Sequence, residues 1–379
     1  MGANRALFFQ VLTRIAANVA KVFKSTEERR MKKTLSLNLP GMVAAAALLA
    51  ATPALARDLT VVSWGGSYQD AQREIYFEPF KKETGIPLLE ESWDGGYGVI
   101  SAQMQSGAPN WDVVQVETEE LQLGCADGLY EKIDWDALGG KDKFNASAVN
   151  ECGVGAIVWT TGLSYDAKVL TEAPTSWADF WDTAKFPGKR GFRRGPKYSL
   201  EFALMADGVA AADVYTVLAT PEGVDRAFAK LDQLKADIIW WDAGAQAIQL
   251  LASGQVVMTT AYNGRLTALN RTEGTDLKVV WPGSIYAIDS WVVLAGSPNR
   301  DAAFKFLSFV NEPARQALLP KYIAYGLPVI AANDLLTDAE RAELPTAPQN
   351  LEGAIAINGN FWVDNIETLS ARFDAWLAQ

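Results

Sequence analysis

The sequence predicts an α/β fold in two domains, each a mixed or parallel sheet flanked by helices. Three observations carry that expectation. Short apolar runs such as 59–62, 86–91 and 111–116 alternate with longer segments of helical periodicity, the order expected of βαβ units. Several runs end in polar and aromatic residues, the side on which open α/β sheets hold ligands. The chain beyond its leader, about 320 residues, is also longer than one hydrophobic core commonly serves.

The leader comes first. Met31-Lys32-Lys33 gives a positive start, 42–49 (MVAAAALL) an apolar centre and Ala54-Leu55-Ala56 a small-x-small cleavage site. This pattern predicts a secretory signal peptide cut after Ala56, with Met31 as the true start and residues 1–56 outside the fold. Its apolar centre is shorter than the roughly 20 residues a permanent membrane span needs. The mature chain is therefore expected to be exported.

The opening unit follows. Leu59, Val61 and Val62 read as the first strand, and Ser63-Trp64-Gly65-Gly66-Ser67-Tyr68 as its ligand-side loop. Ser67 with Asp70 makes a capping-box-like pair, so a helix is expected from there. That helix carries Ala71, Ile75, Phe77 and Phe80, is expected to be disturbed at Pro79, and stops at Thr84-Gly85. The competing reading places Trp64 in the core and makes the glycines a plain turn.

The remaining elements repeat the scheme. A second strand covers 86–91, a helix 97–105, and a third strand 111–116 that runs into Glu117-Thr118-Glu119. An extended run over 154–165, broken by glycine, is expected to cross between the domains. Thr175-Ser176 with Asp179 caps a helix over 177–183. A turn at 186–192 leads into a strand and the basic loop Arg193-Arg194-Gly195-Pro196-Lys197-Tyr198. Helices are expected over 199–207, 221–234 and 245–253, and strands ending at Trp241-Asp242 and at Tyr262-Asn263-Gly264-Arg265. A further strand covers 277–281, and 286–294 is expected to be the return crossing. Helices follow at 301–310 and from Pro313. Ile366, Leu369, Phe373, Trp376 and Leu377 form the apolar stripe of a last helix, expected to be core.

Composition excludes several chemistries. Histidine is absent, which removes Ser-His-Asp and Cys-His nucleophiles and histidine-bearing metal sites. EF-hand loops and phosphate loops are not found, so neither a cofactor nor a metal is expected. Cutting after Ala56 removes eight basic and two acidic residues from 34 Lys+Arg and 45 Asp+Glu, leaving a net charge of −17. Such a chain is a poor partner for nucleic acid or anionic membranes. The two cysteines, Cys125 and Cys152, fall in an exported chain and are expected to form a disulfide, a closure of about 3 kcal/mol.

Residues at strand ends and crossings define a candidate site: Trp64, Ser67, Tyr68, Glu117, Tyr198, Trp241, Asp242, Tyr262, Tyr286 and Asp289, with Trp362 and Asp364 near the last helix. Aromatic faces attract ammonium groups by roughly 0.5–2 kcal/mol each, and a carboxylate adds a charge-assisted hydrogen bond. The set suits an amine. Paired carboxylates also admit a glycosidase or another exported hydrolase using Glu117 and Asp289, although nothing fixes their separation.

Taken in order, several segments resemble the periplasmic spermidine/putrescine-binding proteins of ABC transporters. They are 63–68, Pro79-Phe80-Lys81-Lys82-Glu83-Thr84-Gly85-Ile86, Trp111-Asp112-Val113-Val114, Gly128-Leu129-Tyr130-Glu131-Lys132-Ile133-Asp134, Ala261-Tyr262-Asn263-Gly264 and Ile288-Asp289-Ser290. The resemblance implies the two-lobed periplasmic-binding-protein fold with two crossovers. Lobe I is then 57–161 with 290–330, and lobe II 162–289 with 331–379. It implies a non-enzymatic monomer that clamps a small organic amine and delivers it to an inner-membrane permease. It places Trp64, Tyr68 and Tyr262 around the ligand and Asp289 on an amino group. Putrescine or spermidine is the expected cargo. Departures point to an alternative. Ala287 stands where spermidine binders carry a Trp, Glu117 where a small hydroxyl is usual, and Arg193 and Arg194 where acidic residues are usual. An ω-amino acid such as 4-aminobutyrate, its carboxylate on Arg193 or Arg194, is that alternative.

Overall fold

A computed structural model of the chain describes residues 57–379 apart from 106 and 108. The leader and its cleavage site lie outside the described residues. Three parallel strands open the fold: β1 (Leu59–Ser63) lies between β2 (Leu88–Ser92) and β3 (Val113–Val116). Every residue of β1 and β3 is buried, whereas β2 buries only Leu88, which marks it as the sheet edge.

Two long antiparallel strands follow in space. β4 (Val154–Asp166) and β9 (Ile285–Val293) pair with each other, and β9 also pairs with β3 through residues 290–293. These are the two runs expected to cross between domains. Through residues 161–165, β4 pairs with β7 (Met258–Tyr262), which begins a second parallel set. There β5 (Arg190–Arg193) lies between β7 and β6 (Ile238–Trp241). The order β2-β1-β3-β9-β4-β7-β5-β6 is continuous. β8 (Leu277–Val279) adds to β4, and β10 (Ile355–Ala356) to β9.

The first helical segment stays helical across 66–84. It is α-helical over Gly66–Gln72, widens to a π turn at Arg73–Phe77, and resumes over Glu78–Thr84. Pro79 therefore does not break it. The proline lacks the N–H that an α-helix would send to the carbonyl four residues back, and the wide turn just before it absorbs the mismatch. Gly85, at φ 69°, ends the segment in the left-handed conformation. The expected Ser67–Asp70 cap does not form: the N-cap is Gly65, and Asp70 pairs with Arg73 instead.

Two helices that the sequence reading passed over begin directly at strand ends. One spans Thr118–Ala126 after β3 and the other Asn263–Glu273 after β7. Cys125, in the first, is bonded to Cys152 with Cα atoms 5.6 Å apart. The main core joins the 66–84 helix to the helix Arg300–Val310, where Phe306 meets Phe80 and Trp291 edge-on. A second core packs Ser199–Ala206 and Pro221–Asp232 under the last helix, Gly359–Leu377. Of the predicted stripe, Leu369, Phe373 and Trp376 are buried there and Ile366 and Leu377 half-buried.

Candidate ligand-binding site

The C-terminal ends of both parallel sets open onto one cavity of about 440 Å³, counted with its mouth. From the first set come Trp64 after β1, Trp93 after β2 and Glu117 after β3; from the second, Arg193 at the end of β5 and Tyr262 at the end of β7. The crossing strands contribute Trp159 from β4 and Asp289 from β9. This is the edge at which α/β sheets hold ligands, here supplied from two sides.

Asp289 sits against the aromatic lining. It is 3% exposed and accepts a 2.6 Å hydrogen bond from Trp159 Nε1 and a 3.2 Å bond from Gln115 Nε2. The Gln115 carbonyl in turn accepts from the Tyr68 hydroxyl at 3.0 Å, so one amide couples the tyrosine to the carboxylate. Trp159 meets Tyr262 edge-on at 5.1 Å, and Trp64 stacks on Trp93 at 5.2 Å. The Trp64 indole N–H is buried with no hydrogen bond of ordinary length, but lies near enough to Asp289 to favour its carboxylate form. Among the described residues no lysine or arginine pairs with Asp289. Burial, with the nearby charge of Glu117, raises its pKa well above the ordinary carboxylate range, against the Trp159 hydrogen bond.

Arg265 also lines the cavity and is likewise 3% exposed. Its guanidinium donates to the Gly65 carbonyl at 3.1 Å and the Trp64 carbonyl at 2.9 Å, while Nε has no partner. No carboxylate pairs with it among the described residues. It lies in the first turn of Asn263–Glu273, whose start is pinned to β4 by Asn263, which accepts from Thr160 N at 3.0 Å. Two glycines make room for it. A Cβ on Gly66 would stand 2.8 Å from Arg265 Nη1, and one on Gly244 2.7 Å from Nε.

Glu117, on the same wall, is already engaged. Arg193 Nη1 donates to Oε1 at 2.8 Å, Tyr198 hydroxyl to Oε2 at 3.1 Å, and Lys197 bridges Glu117 and Glu119. Burial alone would raise the pKa of Glu117, but the charges of Arg193 and Lys197 outweigh it and hold it below the usual range.

The predicted residues distribute unevenly. Trp64, Tyr68, Glu117, Tyr262, Asp289 and Arg193 line the cavity, and Asp242 stands exposed at its mouth. Tyr198 lies behind Glu117 rather than on the wall. Ser67 is off the wall, its hydroxyl buried without a partner. Trp241 packs edge-on behind Tyr262 at 5.9 Å. Arg194 is half-exposed on Asp242, outside the cavity. Trp362 is fully buried in the second core, its indole donating to Glu201 at 2.8 Å, because the last helix turns its apolar face inward there; Asp364 is on the exposed face. Tyr286 is also off the wall. The sequence reading missed Trp93, Trp159, Arg265 and Tyr325. Arg265 carried a legible signal, since it ends the strand-end segment Tyr262-Asn263-Gly264-Arg265.

A two-sided α/β cleft with an aromatic lining and buried charges of both signs defines a binding protein for a small solute. Residues 76–348 match the family profile described as bacterial extracellular solute-binding protein, and the chain belongs to that family. It is 48% identical over 333 residues to the gamma-aminobutyric acid-binding protein of Pseudomonas aeruginosa, covering 88% of this chain and 94% of that one. A solved GABA receptor structure aligns with a TM-score of 0.74 at 36% identity, over 85% of this chain and 98% of the other. The putrescine/cadaverine-binding protein of Pseudomonas aeruginosa is 23% identical, over 75% of this chain and 82% of its own. The chain is thus the substrate-binding protein of an ABC transporter, an exported non-enzymatic component that hands a small ligand to an inner-membrane permease. The polyamine-binding resemblance narrows to this broader family, since the polyamine binder is only a distant relative.

Proposed function

We propose that the cargo is an ω-amino acid of the 4-aminobutyrate kind, its ammonium on Asp289 and its carboxylate on Arg265. One observation carries the reading: a single cavity holds a buried carboxylate without a cation and a buried guanidinium without an anion. Without a partner a buried carboxyl is costly to ionise and a buried guanidinium is costly to hold, and a zwitterion relieves both at once. The rings of Trp64, Trp159 and Tyr262 add ammonium attraction. The GABA-binding relative and the GABA receptor structure support the same class. This replaces the expected putrescine or spermidine, whose second ammonium would meet Arg265. It also moves the carboxylate partner from Arg193 or Arg194, both already paired with acids, to Arg265.

The two parallel sets then act as lobes I and II, with β4 and β9 as the crossings, and close on a ligand that touches both. Export proceeds through the leader, cut after Ala56. Calorimetric titration tests the cargo. Wild type is expected to bind 4-aminobutyrate, and Asp289→Asn and Arg265→Met each to weaken binding by roughly 30-fold or more, the usual cost of truncating one side of a buried charge pair. Folded variants that keep wild-type affinity would refute the assignment.

A further inference from the structure

We propose that Arg193 is a specificity-determining residue: by keeping Glu117 occupied, it makes the cavity accept ω-amino acids and reject diamines of the same length. The inference rests on the cargo reading in one respect, that Asp289 holds an ammonium.

Glu117 and Asp289 are two buried carboxylates on the wall of one small cavity. Taken alone, such a pair is a receptor for two ammonium groups. Glu117 is withdrawn from that role. Both of its oxygens are in use, one on Arg193 at 2.8 Å and the other on Lys197 and the Tyr198 hydroxyl. Tyr198 holds its position at some expense. It is the non-glycine residue with positive φ among those described, at 72°, a conformation strained for an L-residue. That backbone turns it into the N-cap of Ser199–Ala206 and aims its hydroxyl at Glu117.

The charge count in and behind the wall points the same way. With Asp289 in the carboxylate form that a bound ammonium favours, Glu117, Glu119 and Asp289 face Arg193, Lys197 and Arg265, while the exposed Asp94 and Asp242 also line the cavity, Asp242 paired with Arg194. Glu120, beside them, is kept toward its neutral form by burial and by the charges of Glu119 and Glu117. A zwitterion leaves this balance unchanged. A diamine adds two positive charges, and its second ammonium finds Arg193 and Arg265 instead of a free buried carboxylate. Rejection therefore comes from a like charge built against the wrong ligand.

Isothermal titration with 4-aminobutyrate and with putrescine, which share a four-carbon chain, tests this on wild type, Arg193→Met and the double variant Arg193→Met with Glu117→Gln. Circular dichroism verifies folding. Putrescine affinity is expected to rise about 10-fold or more in Arg193→Met and to return to the wild-type level in the double variant. A folded Arg193→Met that gains no putrescine affinity overturns the proposal, as does a gain that survives Glu117→Gln. Lys197→Met takes the cation off the other Glu117 oxygen, leaving the Tyr198 hydroxyl there, without altering a wall residue, and is expected to give a smaller gain of the same sign. If Arg193→Met fails to fold, that gain or its absence decides the matter. Wild type that does not bind 4-aminobutyrate would refute the cargo reading, while the role of Arg193 is judged from the putrescine arm alone.

Discussion

Asp289 has a consequence that reaches solution measurements. Burial and the Glu117 charge favour its protonated form in the empty cavity, whereas a bound ammonium favours the carboxylate. Ligand binding should then expel a proton. Affinity is expected to rise with pH until the pKa of the empty site is passed, and to level off above it. Titrations near neutrality in buffers of different ionisation enthalpy should give an apparent binding enthalpy that changes with the buffer, and Asp289→Asn should lose that dependence. An enthalpy independent of buffer in wild type would mean Asp289 is ionised before the ligand arrives. The aromatic and acidic members of this site were legible because Trp64, Tyr68, Tyr262 and Asp289 fall where strands end or cross. Trp159 was not, since a tryptophan inside a buried strand reads as core until its indole is found on a carboxylate. Arg265 was passed over for another reason. Its segment was read as the close of a strand, and its charge gains meaning only once no acid is found beside it.

At the level of elements, the strand-helix alternation, the two crossings and most helix limits followed from periodicity and turn residues. The exceptions share a cause. The helices Thr118–Ala126 and Asn263–Glu273 start with no intervening loop, so the polar residues at the preceding strand ends hid their first turns. That directness is what brings Glu117 and Arg265 to the cavity. It also gives Gly244, the first residue of the helix Gly244–Ala252, a defined task. An added methyl there would stand 2.7 Å from Arg265 Nε and 3.1 Å from the Tyr262 ring. The guanidinium is the far end of a flexible side chain and shifts more readily than backbone does. Gly244→Ala is therefore expected to keep its fold, since alanine favours a helix over glycine, yet to lose about 10-fold or more in 4-aminobutyrate affinity. A thermal melt alongside the titration separates the two effects. Unchanged affinity would show that the position of Arg265 is less constrained than its surroundings imply.

For the molecule as a whole, the buried carboxyls set how stability follows pH. Glu201, in the second core, accepts from the Trp362 indole and the Tyr215 hydroxyl, and its other oxygen has no partner. Burial outweighs those hydrogen bonds and raises its pKa to about 7 from an ordinary 4.5. Burial likewise raises Glu120 and, without ligand, Asp289. A carboxyl whose folded pKa is raised contributes stability that is complete below its unfolded pKa and is lost as pH climbs through the folded value. Glu117 and Asp179, held low, have the opposite sign, but they titrate on the acid side of this range. The ligand-free protein should therefore melt at a lower temperature at pH 8 than at pH 5. Glu201→Gln keeps an acceptor for the indole and removes the charge, so its melting temperature should fall less over the same interval, with a higher value than wild type at pH 8. Adding 4-aminobutyrate should raise both curves by mass action without closing the gap between them, because the second core lies apart from the cavity. A variant curve parallel to wild type from pH 5 to 8 would place the titrating group elsewhere.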